Sequence, residues 1–241
     1  MTFSGRIVLT RQRESNRTWA MRLESAGLAV LDLPLVRFVP LAVPLEFDVA
    51  ACDWILFTSP QGVRAFAAAG LDPRTAQVAA LGPGTAAVFP DVGLRDDLGL
   101  ATADGAELAV AFAAAVPAPA KVLLPGPAKR LREPRNTLER AGFTVTELPL
   151  YATAIVPAAE LPATPLAPGD IVFFCSPSAV RAFVGAWSER PDCVAIGETT
   201  AATARDAGFP TRVAATPDLE AMVLAAGLDP IPAPATPRSG S

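Results

Sequence analysis

Two serines of this chain lie where a helix N-terminus is expected. Ser59 and Ser176 each follow an apolar run and precede a proline, the pattern of an N-cap followed by proline in the first turn. After a buried parallel strand, a helix N-terminus presents free N–H groups that bind carboxylates or phosphates. Two such termini would hold a polyanion, although helix capping alone also explains both serines.

Tyr151 is the only tyrosine, and the chain contains no histidine. The missing imidazole excludes histidine-ligated metals and both Ser-His-Asp and Cys-His triads, so neither serine is expected to act as a nucleophile. A phenol beside a bound ligand can donate a proton without help from an imidazole. Packing is the alternative explanation for this tyrosine.

A glycine-rich segment raises the question of nucleotide binding. Gly82-Pro-Gly-Thr-Ala-Ala87 fits the G-x-G-x-x-A pattern of dinucleotide sites. Its proline removes one N–H from the phosphate cradle, and the similar segment Gly197-Glu-Thr-Thr-Ala-Ala202 lacks the second glycine. Both segments keep a threonine, Thr85 and Thr200. A tight strand–helix turn and a nucleotide-binding turn are both open interpretations.

Basic residues cluster in two places along a chain whose net charge is −4. The acidic balance argues against a dedicated nucleic-acid-binding protein. Most of these side chains are expected on solvated helix faces, and a few could steer an anionic ligand. The clusters are Arg11, Arg13, Arg17 and Arg22, followed by Lys129, Arg130, Arg132 and Arg135.

The elements that must position these residues occur twice. Three pairs of segments match in order, at offsets of 115 to 117 residues, which predicts an internal duplication. The pairs are Ile7–Leu35 with Val122–Leu150, Asp53–Phe66 with Asp170–Phe183, and Ala80–Ala87 with Ala195–Ala202.

Each copy alternates short apolar runs with helical stretches, which predicts parallel sheets of an α/β fold. Trp54–Thr58 and Ile171–Cys175 are continuous apolar runs, as expected for strands buried on both faces. Gly27, Gly142 and Gly208 are expected to end helices. The fold class predicted is two similar flavodoxin- or Rossmann-like domains.

Two extended, proline-bounded segments, 35–42 and 148–157, bracket the middle of the chain and are predicted to form a two-stranded β-ladder hinge. The Pro/Ala-rich residues 229–241 are predicted to be a disordered tail. The predicted domains are 1–34 with 158–228 and, between the hinge segments, 43–147.

Cysteine usage and hydropathy predict where the protein works. Cys52, Cys175 and Cys193 show no CxxC spacing, which argues against zinc or dithiol chemistry and favours a reducing compartment. No stretch approaches the roughly 20 apolar residues of a membrane span. A cytoplasmic protein without membrane or nucleic-acid partners is therefore expected, and it is expected to be a monomer because the sequence predicts no long exposed apolar helix.

The order and spacing of these motifs resemble the uroporphyrinogen-III synthase family, over about Ile7 to Leu228. The motifs are Phe57-Thr-Ser-Pro60 with Phe174-Cys-Ser-Pro177, the two Gly-x-x-Thr segments, and Leu148-Pro-Leu-Tyr151. The resemblance implies two α/β domains around a cleft and a cyclising hydro-lyase of tetrapyrrole (heme) biosynthesis. In that reaction hydroxymethylbilane loses water, ring D is inverted through a spiro intermediate, and the ring closes as uroporphyrinogen III. It also implies that no metal or organic cofactor is used.

The resemblance also implies roles for single residues. Tyr151 would assist loss of the hydroxyl, and the substrate contacts would be Arg11, Ser59, Thr85, Ser176, Thr199 and Thr200. Pro125-Gly-Pro127 departs from the family's Arg-Gly type of turn, which puts a substrate role for that loop in doubt. Glu198 is an unexpected acid in the second glycine turn and is expected either to face solvent or to supply a proton.

Two other functions stay open on the sequence. One is a non-catalytic two-domain protein that binds an anionic ligand, and the other is a nucleotide-dependent enzyme that uses Gly82–Ala87. The sequence also leaves open a transient hand-over of product to a neighbouring enzyme of the pathway.

Overall fold

The computed structural model describes residues 3–44, 47–100, 102, 105–161 and 166–232. Its strands are β1 (Ile7–Leu9), β2 (Val30–Asp32), β3 (Val36–Pro40), β4 (Trp54–Phe57), β5 (Gln77–Ala80), β6 (Lys121–Pro127), β7 (Thr144–Ile155), β8 (Ile171–Phe174), β9 (Cys193–Ala195) and β10 (Thr211–Val213). Its α-helices are α1 (Arg13–Ser25), α2 (Pro60–Ala68), α3 (Gly82–Ala86), α4 (Gly105–Ala115), α5 (Arg135–Arg140), α6 (Pro177–Ala186), α7 (Glu198–Asp206) and α8 (Leu219–Ala225).

These elements belong to two compact units. The first unit takes the chain up to Phe38 and again from Ala154, and the second is Val39–Thr153. Each unit contains one five-stranded sheet, in the order β10-β9-β8-β1-β2 in the first and β3-β7-β6-β4-β5 in the second. All the strand pairs of the first sheet run parallel, and so do the pairs among β4, β5, β6 and β7 in the second. The predicted α/β fold with two parallel sheets is confirmed.

The central strands are buried on both faces, as their unbroken apolar runs predict. In β8, Ile171 and Phe173 join one hydrophobic cluster while Val172 and Phe174 join another. All four residues of β4 are buried in the same way. Because successive side chains of a strand point to opposite faces, a sheet covered on both sides needs apolar residues at every position.

The chain passes between the two units within β3, after Phe38, and within β7, after Thr153. β3 lies next to β7 in the second sheet. Leu41 N–H donates to the carbonyl of Leu150, and Val156 N–H donates to that of Leu35, a pairing in which the two segments run antiparallel. That these segments act as a hinge stays a prediction, as does the duplication.

Helix ends follow the glycines named above. Gly27, Gly142 and Gly208 follow α1, α5 and α7 with φ values of 78°, 91° and 86°, the left-handed conformation that glycine adopts at helix C-termini. The prediction that these residues end helices is confirmed. Among the described residues, no helix has the length and apolar character needed to cross a membrane.

Part of the predicted tail is packed. Ile231 is buried against the cluster that contains Met222 and Leu219 of α8, and the Pro232 carbonyl accepts a hydrogen bond from Arg22. The prediction of a disordered tail over 229–241 is therefore wrong at Ile231, because its apolar side chain packs into this cluster. Residues 233–241 of the predicted tail lie outside the described residues.

Candidate active site

Ser59 and Ser176 cap helices in the same way. Each has an extended backbone, with φ −162° and ψ 152° or 153°, and is followed by proline in the first turn. Ser59 Oγ accepts from Gly62 N–H at 3.1 Å, and Ser176 Oγ accepts from Ala179 N–H at 3.2 Å. Both caps lie just beyond the carboxyl ends of buried strands, β4 and β8. The predicted N-caps are confirmed.

Tyr151 lies beside the first of these caps. Its side chain is only 6% exposed, and its hydroxyl lies 3.5 Å from Ser59 Oγ, a long contact in which either oxygen can be the donor. Burial raises the pKa of the phenol, against smaller opposing effects of the Ser59 hydroxyl and the Arg130 charge. The phenol is therefore protonated at neutral pH and able to donate.

An irregularity between β6 and β7 orients Tyr151. Gly126 pairs with Pro149, but Pro127 pairs with Tyr151, so Leu150 is an extra residue in β7. The alternation of buried and exposed side chains along β7 changes phase at this point, and both Leu150 and Tyr151 are buried. Such a bulge redirects the side chains that follow it.

Arg130 is a site residue to which the sequence assigned no individual role. Its guanidinium donates to two carbonyls at the end of β6, Nη1 to Leu124 at 3.1 Å and Nε to Pro127 at 3.3 Å. Burial lowers the pKa of this guanidinium, while the nearby Glu147 and Tyr151 act in the opposite direction. The position of Arg130 in a cluster of basic residues does not predict that its side chain is buried. Its burial depends on how the loop after β6 folds back onto that strand.

Thr85 follows the first glycine turn and is 4% exposed. Gly82 has φ +65°, and a Cβ there would meet the Thr102 carbonyl oxygen at 2.7 Å, so the turn requires glycine. The helix it opens, α3, is only five residues long. The segment thus forms a tight strand–helix turn, without the long helix that follows the dinucleotide fingerprint.

In the first unit, Arg11 follows β1 and is held at both its backbone and its side chain. Its N–H donates to Asn16 Oδ1 at 3.0 Å, and its guanidinium lies over the Trp19 ring at 4.4 Å. The buried Asn16 amide in turn donates to the Leu9 carbonyl at 2.9 Å. Arg11 is therefore a fixed cation at the carboxyl end of β1.

The second glycine turn begins α7 in the first unit. Thr200 is 4% exposed, whereas Thr199 is exposed and its carbonyl accepts from the Thr203 hydroxyl. Glu198 is a solvent-exposed residue paired with Arg205, which favours the solvent-facing interpretation of this acid. Thr85 and Thr200 are thus both buried, so neither threonine side chain is presented to solvent by its turn.

Only part of the predicted set is brought together within one unit. Ser59 and Tyr151 meet in the second unit, with Arg130 beside them, and Thr85 belongs to the same unit. Arg11, Ser176, Thr199 and Thr200 follow the carboxyl ends of β1, β8 and β9 in the first unit. The assignment of these residues to catalysis or substrate binding stays a prediction.

The two serine caps allow a paired test of the Tyr151 contact. Ser59→Ala is expected to cost about 1 kcal/mol of unfolding free energy through the lost cap. It should also raise the Tyr151 pKa further, because the Ser59 hydroxyl lowers it. Ser176→Ala should cost a similar amount and leave the Tyr151 titration unchanged.

Denaturant unfolding measures the stability of each variant, and tyrosinate absorbance follows Tyr151 alone because it is the only tyrosine. Circular dichroism at each pH excludes alkaline unfolding as the origin of the signal. Equal titrations in the two variants would show that Ser59 does not contact the phenol.

Comparisons with known proteins agree on one family. The family model described as uroporphyrinogen-III synthase HemD matches residues 17–224. The chain is 33% identical over 226 residues to the chloroplastic uroporphyrinogen-III synthase of Oryza sativa subsp. japonica, covering 84% of this chain and 73% of that protein. It is 27% identical to the porphyrin biosynthesis protein HemD of Ruminiclostridium josui, with 92% of this chain aligned but only 48% of that longer protein.

A solved structure supports the fold. The uroporphyrinogen-III synthetase of Helicobacter pylori aligns with a TM-score of 0.65 at 20% identity, covering 91% of this chain and 97% of that one. At this identity the likeness bears on the fold alone, which agrees with the two parallel sheets described above. The family model, which spans most of the sequence, and the rice relative carry the assignment, and they confirm the resemblance. The chain belongs to the uroporphyrinogen-III synthase family.

Proposed function

We propose that this chain converts hydroxymethylbilane into uroporphyrinogen III and water, with Tyr151 assisting the departure of the hydroxyl. The observation that supports this assignment within the family is the buried phenol beside the Ser59 cap, in a chain that has no imidazole for the same task. General acid assistance by a positioned side chain contributes about 100-fold or more to such a step.

The protein has little covalent chemistry to perform in this reaction. The electron-rich pyrrole nitrogen pushes out the hydroxyl as its C–O bond breaks, and the Tyr151 O–H supplies the proton that makes it water. The substituted α-carbon of ring D attacks the methylene carbon left on ring A, which gives the spiro intermediate, and the bond from that α-carbon to the bridge carbon towards ring C then breaks. The released bridge carbon bonds to the free α-carbon of ring D, and the proton that this α-carbon loses returns to the phenolate. The remaining contribution is orientation of the flexible linear substrate.

We further propose that the predicted substrate residues bind the carboxylates of the tetrapyrrole. Helices α2 and α6 present N-terminal N–H groups beside Ser59 and Ser176. Arg11 offers a fixed cation, and the exposed Thr199 offers a hydroxyl. At the buried Thr85 and Thr200 the contacts would come from main-chain atoms of the turns, so loss of either side chain is expected to be mild.

A monomeric state, a cytoplasmic location and a transient hand-over of product belong to the same proposal. The sequence motivates the cytoplasmic location through its cysteine usage and hydropathy, and the monomeric state because it predicts no long exposed apolar helix. The rice relative carries a chloroplast designation in its name, so localisation by tagging in the source cells is the direct test. Cross-linking at working concentration tests the other two.

The function is tested by the isomer that forms. Fresh hydroxymethylbilane is supplied to the folded protein, products are oxidised, and isomers I and III are separated by chromatography. The substrate closes unaided to isomer I, which serves as the internal control. Predominant isomer III is expected, and isomer I alone from folded protein would exclude the synthase activity.

A thermal-shift series separates the two alternatives if isomer III is absent. Ligand in excess of its Kd raises the melting temperature. Stabilisation by uroporphyrinogen alone would favour a binding protein, and stabilisation by a dinucleotide alone would favour the use of Gly82–Ala87.

A further inference from the structure

We infer that Arg130 is a positioning residue for Tyr151: its guanidinium fixes the irregular end of β6 against which the tyrosine is held. The inference deepens the proposed function, since it concerns the same phenol. It rests on the contacts of Arg130, on the bulge between β6 and β7, and on the close approach of Gly126.

The end of β6 is short of hydrogen-bond donors. Pro125 and Pro127 have no N–H, so only Gly126 between them can donate to a neighbouring strand. The Arg130 side chain folds back over the end of β6 and donates to the carbonyls of Leu124 and Pro127, which lie before and after Gly126. The rigid fork of a guanidinium suits two such acceptors, whereas an ammonium offers a single point of charge.

This same segment holds the backbone of the tyrosine. Pro127 is the register partner of Tyr151 across the bulge, and Ala128 N–H donates to the Tyr151 carbonyl at 2.8 Å. Arg130 therefore forms a hydrogen bond to Pro127, the register partner of Tyr151. The next residue, Ala128, holds the Tyr151 carbonyl. Movement of the Arg130 side chain should be transmitted to the phenol through these two contacts.

Stability alone does not account for the placement of Arg130. The side chain is 15% exposed, and Glu147 Oε1 lies 3.8 Å from its Nε, at the limit of an ion pair. Among the described residues, its buried Nη2 finds no hydrogen-bond partner. Burying a cation with an unpaired donor is unfavourable, so a functional reason is the better explanation. Among the described residues, the groups that act on the phenol include Ser59 before α2 and Arg130 after β6, and Glu147 of β7 faces Arg130.

Gly126 leaves the room that the guanidinium occupies. A Cβ at this position would lie 2.9 Å from Arg130 Nη2, the end of a flexible side chain. Gly126→Ala should therefore displace the guanidinium without requiring the backbone to move. This variant keeps the charge in the chain while disturbing its position.

The test measures turnover and the Tyr151 titration in Arg130→Gln. We expect kcat to fall about 10-fold with KM nearly unchanged, because positioning acts on the transition state. The tyrosinate titration should move upward, since the Arg130 charge lowers the phenol pKa. Arg130→Lys should recover part of the titration shift but not all of kcat. The matched control is Arg140→Gln, an exposed arginine at the end of α5, before the amino end of β7, and it should change neither quantity.

If Arg130→Gln fails to fold, Gly126→Ala supplies the same two measurements and should also lower kcat and move the titration. A purely structural role would lower the melting temperature and leave the titration of folded protein unchanged, which would overturn the inference. So would wild-type kcat in a folded Arg130→Gln protein. Because the titration needs no substrate, its outcome is separable from failure of the proposed function, which shows in the wild-type isomer ratio.

Discussion

Tyr151→Phe is expected to lower kcat for isomer III formation about 100-fold while KM changes by less than about twofold. The substitution removes only the hydroxyl, and the ring keeps its place among buried neighbours at the bulge of β7. The hydroxyl acts when the C–O bond breaks, so its loss affects the transition state more than substrate binding. Steady-state kinetics with isomer analysis provides both constants.

Thr146→Val is the matched control for this variant. It also removes one hydroxyl from β7, at an exposed position near the other end of the strand, and should leave kcat within about twofold. A Tyr151→Phe enzyme with wild-type kcat would remove the phenol from the mechanism and leave it as a packing residue. A large rise in KM with unchanged kcat would instead make Tyr151 a binding residue.

The parts of this structure that sequence predicts well depend on near neighbours along the chain. The Ser59 cap needs only Pro60 and the N–H of Gly62, and Ser176 repeats the arrangement. The buried strands β4 and β8 are recognisable because every residue is apolar, although each ends one residue earlier than predicted. The parallel α/β class follows from the alternation of such strands with capped helices.

Features that depend on distant contacts could not be predicted. The bulge that turns Tyr151 inward arises from the register of β7 against the proline-flanked end of β6, which no local pattern encodes. The same is true of the burial of Arg130. Local similarity does not encode helix length either, because the two Gly-x-x-Thr turns open helices of different length. α3 stops after five residues and the chain continues into a 3₁₀ turn at Pro90–Val92, whereas α7 runs for nine.

Asp170→Asn is expected to lower the unfolding free energy by about 3 kcal/mol at neutral pH, because it removes one partner of a buried ion pair. The Asp170 side chain has no exposed surface and lies 2.6 Å from Arg6 Nη2. It also accepts from the N–H groups of Arg6 at 3.0 Å and Ala167 at 2.8 Å. Arg6 and Asp170 directly precede the neighbouring strands β1 and β8, so the loss should loosen the centre of the first sheet.

The effect should depend on pH in a defined direction. Burial alone would raise the Asp170 pKa, but the hydrogen bonds from Arg6 and Ala167 outweigh it and the net shift is downward. A carboxyl whose pKa is lower in the folded state stabilises the fold above its unfolded pKa of about 3.9. That contribution is lost as the pH falls through the folded-state pKa. The stability difference between wild type and Asp170→Asn should therefore be full at neutral pH and shrink in acid.

Asp192→Asn supplies the comparison that isolates burial. Asp192 belongs to the same unit and pairs with Arg212 at 3.6 Å, but its side chain is 60% exposed, so the change should cost under about 0.5 kcal/mol. Denaturant unfolding of the three proteins across the acid range measures all of these differences. If Asp170→Asn cost no more than Asp192→Asn, the Arg6 pair would contribute nothing beyond an exposed one. If Asp170→Asn lowered the unfolding free energy by the same larger amount at every pH, the lost stability would come from packing. A contribution from the Asp170 charge would have to change with pH, because only the aspartate titrates.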